Sequence, residues 1–391
     1  MASDNNLKIL FLLYRFYGYG GIERVSCTLA DLFADVGHEV SVCSFRFPSA
    51  NWDSAPSTRA NIYYLPRANT SSNENFVFVK DLIRRLSIDV VVFHDCYQPM
   101  ENLLTALPMD VARIVVEHNT PTIPLGWPIS GKPRSVVQRI SNAFRIWRAE
   151  RWTRRRHLFL YDLSDRYVLL SNRYFGEMRW VARLRDARKL RAIPNVNTFA
   201  RVLDKPSKEK SILFLGSLLR VKGVDYLLDA WESVCCEFPE WSLKIVGDGP
   251  LRSSLEGGLS RKGLPRVAFF GATTDVAPHL RTAAILAAPS RYEGFPMVLG
   301  EAMAHGTVPV CFDSYSALRD IVTDGEDGVI VPAFDVVAYA NALRMLMSDE
   351  KLLRGMSEKA LVSVERFSAN RVLPMWEALF SEVMEEKRRA K

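Results

Sequence analysis

Ser290-Arg291-Tyr292-Glu293-Gly294-Phe295-Pro296-Met297-Val298-Leu299-Gly300-Glu301-Ala302-Met303-Ala304-His305-Gly306 reads as a strand end, a loop and a short helix. The apolar run of residues 284–289 leads into it. Glu293 and Gly294 make the loop, and Pro296 sits where a first helical residue tolerates proline. The helix is expected to run to about His305 and to stop at Gly306. The first N–H groups of such a helix have no partner inside it and lie at the positive end of its dipole, an arrangement that binds phosphate. Glu293, just before the helix, and Glu301, in its second turn, are placed to face one ligand. Carboxylates beside a phosphate are unfavourable unless they hold hydroxyls, so the pair points to ribose on one side and a sugar on the other. Spacing alone also admits a plain strand–loop–helix connection with two solvated glutamates.

Outward from this stretch, short apolar runs alternate with helix-length amphipathic ones. Residues 7–13, 39–45, 62–66, 89–95, 113–118, 167–171 and 190–194 are rich in Val, Ile, Leu and Phe and hardly alternate in polarity. That is how strands buried on both faces of a parallel sheet look. Helical patterns such as 22–34 and 76–86 fall between them. The pattern lapses at 199–209, where Asp204, Lys205, Pro206, Ser207 and Lys208 read as a linker. It then restarts at 212–216, 243–247, 267–271, 284–289, 308–312 and 328–332. Alternating strand and helix implies an α/β fold with a doubly wound sheet, here twice over. The expected division is 1–198, 199–369 and a helix at 370–391, with Trp376, Leu379 and Phe380 on one side, that returns to the first domain.

The 391 residues are 48% hydrophobic and 24% charged, ordinary values for a globular chain of two domains. The net charge of +7 is uneven. Residues 1–195 hold 27 Lys/Arg against 18 Asp/Glu, a net +9, and residues 196–391 hold 24 against 26, a net −2. Such asymmetry points to an anionic partner on the first half. The six cysteines, Cys27, Cys43, Cys96, Cys235, Cys236 and Cys311, make no C-x-x-C pair and read as small hydrophobes in a reducing compartment. No run approaches the roughly 20 apolar residues of a membrane span. The polar start, Met1 to Asn6, lacks the build of a signal peptide, which sets the expectation of a cytoplasmic protein.

The stretch around Glu293 and Glu301 resembles the signature of retaining glycosyltransferase family 4, with its E-G-F-P-M-V-L-x-E-A-M-A-x-G wording. The resemblance runs along nearly the whole chain. Gly18-Tyr19-Gly20-Gly21-Ile22-Glu23-Arg24 resembles the family's N-terminal glycine loop, and Ile193-Pro194-Asn195 the end of its first domain. Lys222-Gly223-Val224-Asp225 resembles the phosphate-binding turn, and Val246-Gly247-Asp248-Gly249-Pro250 the next strand end. The resemblance implies the glycosyltransferase B fold, two Rossmann-like domains facing across a cleft. It implies that Glu301 holds the ribose hydroxyls and Glu293 a hydroxyl of the transferred sugar. The backbone N–H groups of Phe295, Pro296's neighbour Met297, Val298 and Leu299, with Gly294, would meet sugar and diphosphate. Lys222 would neutralise the departing diphosphate, and His118 would touch the sugar.

Gly18, Gly20 and Gly21 would let backbone approach a ligand closely. They do not complete G-x-G-x-x-G, because Glu23 holds the last place, which disfavours a dinucleotide-dependent dehydrogenase. No Walker A motif and no Asp-x-Asp occurs, so the diphosphate is expected to be met by Lys, Arg and helix dipole without an obligatory metal or other cofactor. The family usually has arginine after the glycine of Phe214-Leu215-Gly216; here Ser217 stands there, and Arg220, three residues on, is the candidate replacement. Residues 132–156 hold nine Lys/Arg and one acid, interleaved with Val136, Val137, Ile140, Phe144, Trp147 and Trp152. Such a helix can lie on an anionic membrane. Nucleic acid binding is a second reading, which nothing else in the chain supports, and a solvated helix face is the plain one. The expected activity is retaining transfer of a hexose from a nucleotide-sugar, expected to be a UDP-sugar, to a saccharide or lipid-linked acceptor of surface polysaccharide synthesis. The reaction would be a front-face substitution, in which the leaving phosphate helps deprotonate the acceptor. A nucleotide-sugar epimerase and a non-catalytic membrane-associated scaffold are the alternatives.

Overall fold

A computed structural model describes residues 6–16, 20–45, 57–95, 97, 100–122, 136–201 and 207–389, without the side chains of 136–138. Gly18, Cys96, Lys132, Arg134 and most of the expected linker lie outside the described residues. The chain divides into two compact units, Met1–Val196 with Ala369–Lys391, and Asn197–Ser368.

The first unit is built on seven strands: β1 Lys8–Arg15, β2 Glu39–Phe45, β3 Asn61–Tyr64, β4 Val90–Asp95, β5 Ala112–Glu117, β6 Arg166–Leu169 and β7 Leu190–Ala192. Their order is β3-β2-β1-β4-β5-β6-β7, and every pairing is parallel. Ile9, Leu10, Phe11 and Leu12 are all fully buried, as their lack of alternation requires of a strand covered on both faces. The order reverses between β1 and β4, and in such sheets ligands gather beyond the carboxyl ends of the strands at that point.

The second unit repeats the plan with β8 Glu209–Leu215, β9 Ser242–Val246, β10 Val267–Gly271, β11 Ala283–Ala288, β12 Val308–Phe312 and β13 Val329–Val331, in the order β10-β9-β8-β11-β12-β13. Its switch point lies between β8 and β11. Each stretch expected as a strand forms one. The division falls two residues earlier than expected. Asn197 donates its backbone N–H to Phe367 O at 2.8 Å and its side-chain amide to Gly300 O at 3.3 Å, which ties Asn197 and Thr198 to the second unit.

The last helix, Ala369–Arg389, packs on the first unit. Trp376 and Phe380 meet Phe33 edge-on, with centroids 5.8 and 5.2 Å apart. His38 Nε2 lies 2.9 Å from Glu377, Arg166 is paired with Glu382 and Glu386, and Lys387 is 3.0 Å from Asp165. Cys27, Cys43, Cys235 and Cys311 are buried, and burial pushes the Cys43 thiol up to about 12. Cys236 is exposed, unlike the small hydrophobe of the sequence reading.

Candidate functional site

In the second unit the loops after β8 and β11 are laced together. Gly223 takes φ +70°, and a Cβ there would lie 2.0 Å from Pro289 O, so only glycine lets the two loops touch. Arg291 N donates to Val221 O at 2.7 Å, and the Arg291 guanidinium holds the Arg220 carbonyl. The same guanidinium forks onto Asp225, at 2.6 and 3.0 Å, and lies over the Tyr226 ring at 4.3 Å. Sequence reading gave Arg291 no role. Its partner is 66 residues away, which no local pattern shows.

This clamp sets Lys222 beside Glu293. The ammonium donates to Glu293 Oε1 at 2.6 Å, and Ser290 Oγ donates to the same oxygen at 2.8 Å. Both charges are partly shielded, with 26% of the Lys222 side chain and 14% of the Glu293 side chain exposed. The residues expected to meet diphosphate and sugar therefore begin as partners. Arg220 lies in the 3₁₀ turn Arg220–Lys222 and is exposed; among the described residues no ion pair holds its side chain. Ser217 is exposed in the same loop.

The following helix is Met297–Ala304. Pro296 is its N-cap rather than its first residue, and no side chain caps the end. The N–H groups of Met297 and Val298 belong to the turn that intrahelical bonds cannot serve. Leu299 is a correction: its N–H is spent on Pro296 O at 3.2 Å, and its side chain is fully buried. Phe295 is also buried, edge-on to Phe367 at 5.2 Å. Gly306 takes φ +69° just past the helix, as a stop glycine does. Glu301 is 1% exposed and accepts from Thr198 Oγ1 at 2.8 Å. Thr198 was not foreseen; it stands 103 residues from Glu301.

In the first unit, Gly20 caps and Gly21 opens the helix Gly21–Asp35. The room that Gly20 leaves is filled by Glu23: a Cβ on Gly20 would stand 2.0 Å from Glu23 Oε2. Glu23 is buried and paired with Arg15 at 2.6 Å, so its charge is answered locally. The expected close approach of ligand to Gly20 is in this structure an approach of Glu23.

The ends of β4 and β5 carry His94-Asp95 and Glu117-His118 side by side. His118 is 7% exposed and stacks on His94 with centroids 5.1 Å apart; His94 Nδ1 is 2.8 Å from His118 Nε2. One of those nitrogens must carry the hydrogen. Among the described residues His94 Nε2 is buried without a partner, and a buried orphan N–H costs more than a bare lone pair. His94 Nδ1–H therefore donates to His118 Nε2, and His118 keeps its own proton on Nδ1. Beside them Arg156 grips Asp95, 3.6 Å from Glu101 and over the Tyr97 ring. His157 Nδ1 is 3.0 Å from Tyr167 Oη, whose hydroxyl reaches Glu117 at 3.4 Å. Arg156 corrects the reading of residues 132–156 as one basic surface: it is buried in an ion pair.

Burial lowers His118 and His157 to about 4, and holds His94 well below its ordinary value. Burial, reinforced by Asp95, lifts Glu117 well above the carboxylate range. The signs oppose. Three histidines with depressed values give stability that is lost as pH falls from about 6.5 towards 4. Glu117, with a raised value, gives stability that is lost as pH rises past about 4.5. Between pH 4.5 and 6.5 the unfolded chain thus binds about two more protons, three from histidine less one at Glu117. Each proton contributes up to about 1.4 kcal/mol per pH unit. Urea melts from pH 6.5 to 4.5 should show the first unit losing stability; a flat profile would mean that these histidines titrate normally.

Comparison with known proteins follows the two units. The family described as Glycosyltransferase Family 4 matches residues 19–196, and Glycosyl transferases group 1 matches residues 195–362. An uncharacterized glycosyltransferase of Haemophilus influenzae is 24% identical over 95% of this chain and 99% of its own. The amylovoran biosynthesis glycosyltransferase AmsD of Erwinia amylovora is 25% identical over 57% of this chain and 64% of its own. The solved pneumococcal O-GlcNAc transferase GtfA, in complex with UDP and GlcNAc, superposes with a TM-score of 0.75 at 12% identity, covering 97% of this chain and 100% of that one. That last likeness is one of fold alone. The two family matches together take in residues 19–362, including both glutamates, Lys222 and His118, and they make the protein a glycosyltransferase that belongs to glycosyltransferase family 4.

Proposed function

We propose that the protein moves a hexose from a UDP-sugar to a saccharide or lipid-linked acceptor in surface polysaccharide synthesis, with retained configuration and without an obligatory metal. The observation that carries this reading is the Lys222–Glu293 ion pair at the side-chain-uncapped start of the helix Met297–Ala304, with Glu301 one turn further on. A diphosphate gains negative charge as the sugar bond breaks, and a lysine and free N–H groups stabilise that charge more in the transition state than in the ground state. Lys222 then serves the phosphate, and Glu293, released from it, accepts from a sugar hydroxyl. On the first unit neutral His118 offers its Nδ1–H as a donor, and the basic helix Val136–Leu163 brings that unit to an anionic membrane surface where acceptor is found. The UDP bound by GtfA and the amylovoran biosynthesis named for AmsD support donor and pathway.

The test is incubation with a panel of nucleotide-sugars in excess chelator. Release of uridine diphosphate from one UDP-sugar is expected. A new sugar on intact nucleotide would make the protein an epimerase, no change at all a scaffold, and activity only on adding magnesium or manganese would contradict metal independence. Glu301→Ala should weaken nucleoside diphosphate binding by about 1.5–3 kcal/mol through loss of charge-assisted bonds to ribose. Calorimetry giving wild-type affinity in a folded Glu301→Ala protein removes Glu301 from the site.

A further inference from the structure

The helix Val136–Leu163 has two unlike sides. Thr153, Arg156, His157 and Leu160 are buried towards the first unit's sheet. Trp147, Arg151, Arg154 and Arg155 are exposed on the other, at the three- and four-residue spacings that share a helix face. The next helix, Tyr174–Ala182, packs alongside and adds Trp180 and Arg183. Between them lies a groove of about 540 Å³. Trp147 is 52% exposed and Trp180 62%, unusual for the largest side chain. Arg151 lies over the Trp147 ring at 5.9 Å. Among the described residues none of Arg151, Arg154, Arg155 and Arg183 has a carboxylate partner, although Glu150 also lines the groove.

We infer that this groove is a docking site for the phosphate headgroups of an anionic lipid bilayer, with Trp147 and Trp180 seated at the headgroup level. Four guanidiniums against one carboxylate select an anion, and planar guanidiniums fit phosphate oxygens in pairs. Two exposed indoles, each with an apolar body and a polar N–H, suit the interface between headgroup and chain. A second copy of this face would bring the arginines against their like. The outward apolar row continues along the helix through Phe144 and Ile140, 57% and 67% exposed, with Phe144 stacked on Trp147 at 5.8 Å, so the contact is a surface rather than a point. The inference rests on the proposed membrane-side role of the first unit. It moves the centre of that role from the whole basic segment to a groove shared with a second helix, and it excludes Arg156.

The experiment is sedimentation of the full chain with phosphatidylglycerol-containing and pure phosphatidylcholine vesicles over a range of salt. Preference for the anionic vesicles, fading with salt, is expected. Arg151→Gln with Arg154→Gln and Arg155→Gln should weaken it about 100-fold, at roughly fivefold per charge. Trp180→Ser with Arg183→Gln, outside the basic segment, should weaken it about tenfold or more with an unchanged melting temperature. Quenching of tryptophan fluorescence by brominated phosphatidylglycerol should fall in Trp147→Phe with Trp180→Phe. If neutral and anionic vesicles are bound equally, or neither is, the membrane-side reading and the groove fail together. If anionic vesicles are preferred but the Trp180/Arg183 variant binds as wild type, the groove alone is wrong. If millimolar inorganic phosphate displaces the vesicles completely, the groove recognises free phosphate and not a bilayer.

Discussion

Replacing Arg156 by alanine should cost the first unit about 3–5 kcal/mol, because it leaves the fully buried Asp95 carboxylate without its counter-charge. Burial alone would raise the Asp95 carboxyl, yet Arg156 holds it below the ordinary range, so at neutral pH it is the ionised form that would be stranded. The neighbouring Glu117, which burial and Asp95 both push towards its neutral form, brings no positive charge to take the place of Arg156. Arg155→Ala, one residue earlier and exposed, should change stability by no more than about 0.5 kcal/mol. Adding Asp95→Asn to Arg156→Ala should return part of the loss, since the unpaired charge goes with it. Denaturant melts of the four proteins decide the matter. Equal small losses in Arg155→Ala and Arg156→Ala would mean that the ion pair does not hold the ends of β4 and the helix Val136–Leu163 together.

Arg154, Arg155 and Arg156 also mark where sequence stops speaking. Three like residues in a row look equivalent, and only the side of the helix that turns to the sheet separates them. The helix gives no clean signal of that side, because apolar residues stand on both: Leu160 is buried while Ile140, Phe144 and Trp147 are exposed. Asp95, which decides the matter, is 61 residues away. The strands were legible for the opposite reason. Runs such as Ile9 to Leu12 and Val90 to Phe93 are apolar on both faces because both faces are covered, and that needs no knowledge of a distant partner. The stretch from Ser290 to Gly306 was legible because strand end, loop, helix start and both glutamates lie within one local pattern. The bonds that organise it were not: Lys222 to Glu293 spans 71 residues and Thr198 to Glu301 spans 103. His94 escaped as well, although Phe93-His94-Asp95 ends a strand just as Val116-Glu117-His118 ends its neighbour; two adjacent parallel strands ending in histidine were the available signal.

Lys222→Ala should lower turnover about 100- to 1,000-fold, in the range of removing one preorganised charge-stabilising donor. Two losses combine. In the proposed reaction the departing diphosphate would lose the Lys222 ammonium, and the Glu293 carboxylate would lose the donor that lies 2.6 Å from its Oε1. Arg220→Ala should lower turnover by roughly 10- to 1,000-fold if Arg220 supplies the second cation that Ser217 cannot. The two changes differ in what else they disturb. The Arg220 side chain is exposed and unpaired among the described residues, while its carbonyl, which Arg291 holds, survives the substitution. Its melting temperature should therefore match wild type. A transition-state role predicts that kcat falls more than affinity for the intact nucleotide-sugar, since the charge being stabilised is complete only as the sugar bond breaks. Both kcat and affinity should be measured for Arg220→Ala beside Lys222→Ala. Crippled Lys222→Ala with wild-type Arg220→Ala leaves Lys222 as the single side-chain cation of the diphosphate site. An affinity loss in Arg220→Ala as large as its loss of kcat/KM would mean that Arg220 grips the diphosphate equally throughout and accelerates nothing.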